Sequence, residues 1–324
     1  MKAALCKRLE GPAGLEIADI AVPEPGKGEV LVAVKAAALN FFDTLITRGT
    51  YQARPELPFS PSAEVAGVVA GLGSGVEGMR VGDRVMAYIG WGGARERIVA
   101  PAAALVPIPE GVSDAVAAGV SVTYGTAIHG LKDRGHVRHG ETVAVLGAAG
   151  GAGLAAVEIA KLMGARVIAV ASSAEKLEVC KAHGADALLN YADTDLKAGL
   201  RALTGETGVN VVYDCVGGEA SEAALRALAW QGRFLIVGFA SGDIPKIALN
   251  LLLLKGADAV GVFWGESVKR DPEGHRRNMR QVLDWIAEGK LSPHVHATYP
   301  LEEIGEAMGV LDRREAIGKV VLTL

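Results

Sequence analysis

The chain has 324 residues, enough for two domains and a sizeable hydrophobic core. Half of its residues, 50%, are hydrophobic and 22% are charged, which separates it from disordered chains. A formal net charge of -4 with no Lys/Arg block argues against a nucleic-acid binder, whose surface would carry a basic footprint.

At the N-terminus, Lys2 and Lys7 interrupt the apolar residues too early for a secretory signal. Residues 1 to about 120 read as β-rich, with short alternating runs at 29–34, 65–70 and 84–87. Turn signals separate them, among them Pro23-Glu24-Pro25-Gly26, Gly73-Ser74-Gly75, Gly82-Asp83 and Gly92-Gly93. Short strands at this spacing suggest a barrel-like or sandwich-like domain, interrupted by a helical stretch at 41–48.

From Thr123 the pattern changes to apolar runs alternating with helical segments. The runs at 143–146, 167–171, 187–189, 209–213, 234–237 and 259–263 are continuously apolar, as expected of strands covered on both faces. Six such strands with helices between them imply a doubly wound parallel sheet, because parallel neighbours need crossover connections. After Trp264 come a polar, basic segment at 269–280, a helix through Glu288 and a strand-like tail, Gly318-Lys319-Val320-Val321-Leu322. That tail is expected to return to the first domain. The predicted division is 1–122 with 265–324 for the β-rich domain and 123–264 for the parallel sheet.

Inside the second domain, the run 143–146 meets the turn Gly147-x-x-Gly150-Gly151-x-Gly153, and a helix follows. Glycines in that place let the backbone turn tightly and let a phosphate approach the helix N-terminus, so the strand–turn–helix context points to a dinucleotide. The tip of the next strand selects the cofactor. An acid there would bind a ribose 2′-hydroxyl and repel a 2′-phosphate, but this tip reads Ala171-Ser172-Ser173-Ala174-Glu175-Lys176, with no acid at the end itself. Two hydroxyls, a helix N-terminus and Lys176 favour NADPH, while Ser172 with Glu175 has the spacing of a capping box.

Many dehydrogenases with this alternation hold zinc, but His136-x-x-His139 and His294-x-His296 have no Cys pair nearby and make poor ligand sets. No metal is expected. The sequence also lacks a G-x-S-x-G elbow, so the chemistry is expected to come from the cofactor. Cys6, Cys180 and Cys215 form no C-x-x-C pair and fit a reducing compartment. The uncharged stretch 142–157 is too short and glycine-rich to be read as a membrane span. A cytoplasmic protein is the expectation.

The chain resembles the zinc-independent quinone oxidoreductases of the medium-chain dehydrogenase/reductase superfamily, the zeta-crystallin group. The motifs run nearly the whole length, from Val34-Lys35-Ala36-Ala37-Ala38-Leu39-Asn40-Phe41-Phe42-Asp43-Thr44 and Arg48-Gly49-Thr50-Tyr51 to Val81-Gly82-Asp83-Arg84-Val85 and Thr123-Tyr124-Gly125-Thr126-Ala127. They continue through Ala148-Ala149-Gly150-Gly151-Ala152-Gly153 and Asp214-Cys215-Val216-Gly217-Gly218 to Gly318-Lys319-Val320-Val321. Where zinc-dependent members carry a Cys this chain has Asn40, their Gly-His-Glu is matched by Ser62-Ala63-Glu64, and the four-cysteine lobe is missing at 88–94.

The resemblance implies a GroES-like catalytic domain beside a six-stranded Rossmann domain. It implies hydride transfer from NADPH to a quinone or α,β-unsaturated carbonyl acceptor in a homodimer, with the last sheet strand near 260–263 as subunit contact. Asn40 looks like the polar residue beside the nicotinamide, or simply the cap of the helix after it. Tyr51 looks like the tyrosine of the substrate site and proton donor, or a wall. Thr123 and Ala149, Gly150, Gly151 and Ala152 match cofactor contacts, as do Ser172, Ser173, Lys176, Tyr191 and Arg314 toward phosphate. Gly217, Gly238, Phe239, Phe263 and Trp264 match the loops near the nicotinamide. Leu251 to Leu254 would form a core or subunit face. Two alternatives share the fold: an enoyl-thioester or alkenal reductase, with Arg276, Arg277 and Arg280 as candidates for an acyl carrier, and a non-catalytic NADPH-binding sensor.

Overall fold

The apolar runs after Thr123 become the strands Thr142–Leu146, Arg166–Ala171, Ala187–Asn190, Val209–Asp214, Leu228–Ile236 and Asp258–Gly261 of one sheet, in a computed structural model that describes residues 1–324. From edge to edge the order is Ala187–Asn190, Arg166–Ala171, Thr142–Leu146, Val209–Asp214, Leu228–Ile236, Asp258–Gly261, and every pairing is parallel. Helices cover both faces, so Val143, Ala144, Val145, Val167, Ile168 and Ala169 are completely buried. The chain starts at Thr142–Leu146 in the middle, winds out one way, then returns to wind out the other. The strand order therefore reverses between Thr142–Leu146 and Val209–Asp214, the place where open α/β sheets bind their ligands.

Two strands differ from the expected runs. Leu228–Ile236 starts well before 234, because Gln231 adopts a left-handed φ of 57° and the register with Val209–Asp214 shifts there, so the pattern Trp230-Gln231-Gly232 hides the strand. Asp258–Gly261 stops before Phe263, and a helix, Trp264–Arg270, follows. Leu251 to Leu254 split: Leu251 is buried in the core, whereas Leu253 and Leu254 are exposed.

This sheet and its helices form one unit, Thr123–Ser267; the other unit comprises Met1–Val122 and Val268–Leu324. Its centre is the long strand Glu29–Leu39, paired antiparallel with Glu64–Leu72, Arg97–Pro101 and Lys319–Thr323. Outside these lie Arg84–Tyr88 and Leu105–Pro107 on one side and Val295–Pro300 on the other. The expected tail strand, Lys319–Thr323, thus joins the first unit, with Val320 opposite Leu39. On the other flank Glu64 lies opposite Ala38. These two registers bring Glu64 and the C-terminal strand to Asn40, which follows Leu39 and opens the helix Phe41–Ile46.

The helix expected after residue 280 begins earlier, at Pro272, and runs to Ala287. Asp271 caps it by accepting a hydrogen bond from the Gly274 N–H at 2.8 Å, and Pro272 presets φ at the first turn. Met279, Val282 and Leu283 are its buried face, so Arg276, Arg277 and Arg280 lie on an amphipathic helix.

Candidate functional site

In the parallel-sheet unit the strand Thr142–Leu146 ends at Gly147, whose φ of 67° suits glycine. The turn closes with Gly150 N–H on Gly147 O at 3.0 Å, and Gly150 then caps the helix Gly151–Leu162. A Cβ on Gly153 would stand 2.2 Å from Gly147 O and 2.7 Å from Ala148 Cα, so only glycine lets the helix seat on the turn. Gly150 is different, since its Cβ would meet only Gly147 O at 3.5 Å. A glycine cap offers no side-chain acceptor to the first-turn N–H groups, which leaves donors at Gly151 and Ala152 with room for an anion. The cradle fits a dinucleotide pyrophosphate.

Next along the sheet, Ala148 N–H reaches Val170 O at 3.1 Å, which ties this turn to the end of Arg166–Ala171. At that end Ser173, not Ser172, caps the helix Ala174–Ala182, its Oγ accepting from the Lys176 N–H at 3.3 Å. The capping box expected from Ser172 and Glu175 is one residue out of place, and Ser172 is exposed ahead of the cap. Tyr191 joins the group because its N–H donates to Ala171 O at 3.2 Å, and the residue is partly exposed. Ser172, Ser173, Lys176 and Tyr191 therefore gather around one strand end.

On the other side of the switch point, the buried Asp214 carboxylate accepts from the N–H groups of Val216 at 2.8 Å and Gly217 at 3.1 Å, and from the Ser221 hydroxyl. The backbone oxygen of Asp214 accepts from Val237 and Gly238 N–H. Gly217 has φ 74° and ψ -158°, and a Cβ there would meet Asp243 O at 2.8 Å and the Phe239 ring at 2.9 Å. Gly217, Gly238 and Phe239 are one packed loop pair at the strand ends. Thr123 is buried on the helix Val120–Ile128, against which the Trp264 indole packs so closely that a Cβ on Gly125 would lie 2.7 Å from its Nε1. Trp264 is buried, and neighbouring Phe263 is exposed.

In the first unit, Asn40 lies in a buried polar cluster. Asp43 accepts from the Asn40 N–H at 2.8 Å and from the Ser62 N–H at 2.9 Å, which locks the helix start. The Asn40 side chain, which with Asp43 makes a capping box at this helix start, is also held by two charges: Nδ2 donates to Glu64 Oε1 at 3.0 Å and Oδ1 accepts from Lys319 Nζ at 2.7 Å. Burial pushes the Asp43 carboxyl up to about 7 against the pull of its two N–H donors. Tyr51 stacks on Phe42 with ring centroids 5.5 Å apart, and burial, then the Asp43 charge, raise its phenol above the ordinary range. Tyr88 is pushed up to about 12, mainly by burial. Both phenols keep their protons at neutral pH. Arg48, two residues past the helix Phe41–Ile46, holds Asp312 through two bonds, at 2.9 and 2.6 Å, and so braces the turn before Tyr51. Arg314 is exposed with φ 57° and belongs to this unit rather than to the one with the pyrophosphate cradle.

Glu64 and Lys319 were not singled out by sequence reasoning as partners of Asn40. The signal was present: each is a charge beginning an otherwise apolar strand, and a buried charge must find a counter-charge. His294 O accepts from Lys319 N–H at 2.9 Å, His296 Nδ1 accepts from Ile317 N–H at 3.3 Å, and His136 and His139 are exposed in a turn.

A six-stranded doubly wound unit with a glycine-capped phosphate cradle and, in the same chain, a β-rich unit carrying a buried polar site define a dinucleotide-dependent dehydrogenase or reductase. Comparison with known proteins narrows this. Residues 26–110 match the alcohol dehydrogenase GroES-like domain and residues 151–288 the family described as zinc-binding dehydrogenase. A quinone oxidoreductase-like protein 2 from Rattus norvegicus is 39% identical, over 100% of this chain and 92% of that protein. A mycobacterial structure complexed with NADPH superposes with a TM-score of 0.93 at 34% identity, covering 100% of both chains. The Escherichia coli quinone oxidoreductase complexed with NADPH gives a TM-score of 0.92 at 28% identity, again over 100% of both chains. The chain belongs to the quinone oxidoreductase-like family of the medium-chain dehydrogenase/reductase superfamily.

Proposed function

We propose that the chain is an NADPH-dependent oxidoreductase that delivers a hydride to a quinone or related α,β-unsaturated carbonyl compound without a metal. The observation that carries this reading is the strand end without a carboxylate, where Ser172, Ser173, Lys176 and Tyr191 gather one strand away from the Gly150-capped helix. Neutral hydroxyls and a cation accept a 2′-phosphate that an acid would repel. Two solved relatives hold NADPH, which supports the same choice.

NADPH, when bound, supplies the hydride. The chain's part is to hold and to polarise. First-turn N–H groups of Gly151 and Ala152 bind pyrophosphate, with Ala149 and Gly150 shaping the approach. Gly217, Gly238 and Phe239, with Thr123, Phe263 and Trp264, form the nicotinamide side, and Arg314 adds a phosphate contact. Asn40 orients the carboxamide or polarises the acceptor oxygen. Tyr51 keeps its proton at neutral pH and serves as the donor once the acceptor has gained charge. The replacement of a metal-binding Cys by Asn40, whose amide is taken up by Glu64 and Lys319, supports chemistry without zinc.

An enoyl-thioester reductase would need free basic residues for its acyl carrier. Arg276 is drawn to Glu273 at 3.4 Å, while Arg277, 4.0 Å from Asp271, and Arg280 are exposed, as on an ordinary solvated helix face. The homodimer is proposed on the edge strand Asp258–Gly261, which pairs on one side only and lies near exposed Trp230, Leu253, Leu254 and Phe263. No helix is long and apolar enough to cross a membrane, and the free thiols of Cys6, Cys180 and Cys215 support a cytoplasmic setting.

The test is NADPH and NADH affinity in Lys176→Ala, with NADPH consumption over a panel of quinones and enones. NADPH affinity should fall at least about tenfold, the loss expected for a charge-assisted phosphate contact, while NADH affinity stays. Unchanged NADPH affinity would remove the 2′-phosphate assignment, and absence of turnover with every acceptor would favour a sensor.

A further inference from the structure

Asn40 is gripped between opposite charges. Lys319 Nζ donates to its Oδ1 at 2.7 Å, while its Nδ2 donates to Glu64 Oε1 at 3.0 Å. Lys319 also donates to Glu64 Oε1 at 2.8 Å and to Leu39 O at 2.9 Å, so all three ammonium hydrogens are engaged. The other Glu64 oxygen accepts from the Val122 N–H at 2.8 Å. The two charged side chains are 6% and 0% exposed.

A primary amide has almost the same shape when flipped, so packing alone does not choose its orientation. Here charge chooses. Flipping the Asn40 amide would turn its NH2 toward an ammonium and its C=O toward a carboxylate, replacing two attractive charge-assisted bonds with two repulsions. After both bonds are made, one N–H of the amide remains. A buried ion pair adds little stability over apolar residues of the same volume; what it supplies is orientation.

We propose that Lys319, with Glu64, is a positioning residue that fixes the flip state of the Asn40 amide and thereby sets which N–H Asn40 offers to the carboxamide or acceptor oxygen. The inference rests on the role given to Asn40 above and deepens it. Lys319 reaches the site only because the tail strand pairs with Glu29–Leu39.

The experiment uses ligand-free protein labelled with ¹⁵N in asparagine side chains, the Asn40 pair of signals being identified by its loss in Asn40→Ala. In the wild type the hydrogen facing Glu64 should exchange with solvent more slowly than its geminal partner, and equally fast exchange of both would overturn the proposal. Lys319→Met leaves Glu64 buried without its counter-charge, so Lys319→Met with Glu64→Gln is the second variant. In the double variant, folded by circular dichroism, the Asn40 side-chain signals should shift and lose protection, while the backbone N–H on Asp43 keeps its own. With NADPH and a quinone, kcat should fall by about tenfold or more with KM for NADPH within about twofold, as expected for a misaligned donor. Unchanged Asn40 signals in that folded variant would overturn the proposal. Full activity of Asn40→Ala would instead overturn the role of Asn40 in the reaction, while the side-chain signals still decide whether Lys319 sets its orientation.

Discussion

Replacing Gly153 by alanine separates two uses of glycine in the phosphate turn. The added Cβ would stand 2.2 Å from Gly147 O and 2.7 Å from Ala148 Cα, both backbone atoms with no side chain to yield. Relief requires the helix Gly151–Leu162 to lift from the turn by about 1 Å, a strain of the kind that costs ~1–3 kcal/mol in an overpacked core. The helix cannot move freely, because Leu154 to Ala160 are buried along it. The same shift carries the first-turn N–H groups away from the pyrophosphate, and a misplacement of about 1 Å can cost on the order of 100-fold. Gly150→Ala is the contrasting variant. Its backbone, at φ -73° and ψ 166°, suits any residue, and its Cβ would touch only Gly147 O at an ordinary 3.5 Å. That methyl group instead occupies the side from which phosphate approaches. Thermal unfolding and NADPH titration by fluorescence should show Gly153→Ala melting several degrees lower and binding weakly. Gly150→Ala should melt like the wild type and bind at least about tenfold more weakly. Wild-type melting and binding of Gly153→Ala would refute the seating of helix on turn, and wild-type binding of Gly150→Ala would refute phosphate at this helix end.

Asp43 gives a pH signature. Its carboxyl ionises near 3.8 in the unfolded chain and at about 7 when folded, so between these values the folded state holds the extra proton and stability falls as pH rises. The loss is about 1.4 kcal/mol per pH unit, on the order of 4 kcal/mol across the window, with no further change below or above it. The difference in urea-unfolding stability between wild type and Asp43→Asn should follow that slope, and a difference independent of pH would contradict it. Ser173→Ala should lower stability by about 1 kcal/mol through loss of the helix cap, whereas Ser172→Ala should spare stability and weaken NADPH binding; equal destabilisation would return the cap to Ser172. Tyr51→Phe should lower kcat with quinones and alter its pH profile, and identical turnover across acceptors and pH would remove Tyr51 from proton transfer.

The glycine turn and the strand end beside it were legible because their rules are local. The turn at 147–153 sits between a strand and a helix in unbroken sequence, and the non-acidic tip at 171–173 ends the very next strand. Local reading failed where one residue's shift changes roles, as with Ser172 and Ser173, or where a left-handed Gln231 breaks an apolar run inside a strand. It also missed the early start of Pro272–Ala287, though the Asp271-Pro272 cap was there to be read.

The sequence by itself determined the parallel sheet, the glycine turn between strand and helix and a strand end without a carboxylate, because backbone period, glycine conformation and the sign of a charge act over a few residues. Only the tertiary structure decided that Asn40, Glu64 and Lys319 form one cluster. Lys319 lies 279 residues from Asn40 in the chain and touches it through the register of two antiparallel strands. Such a register is set by packing of whole strands against one another, and no short-range pattern around either residue contains it.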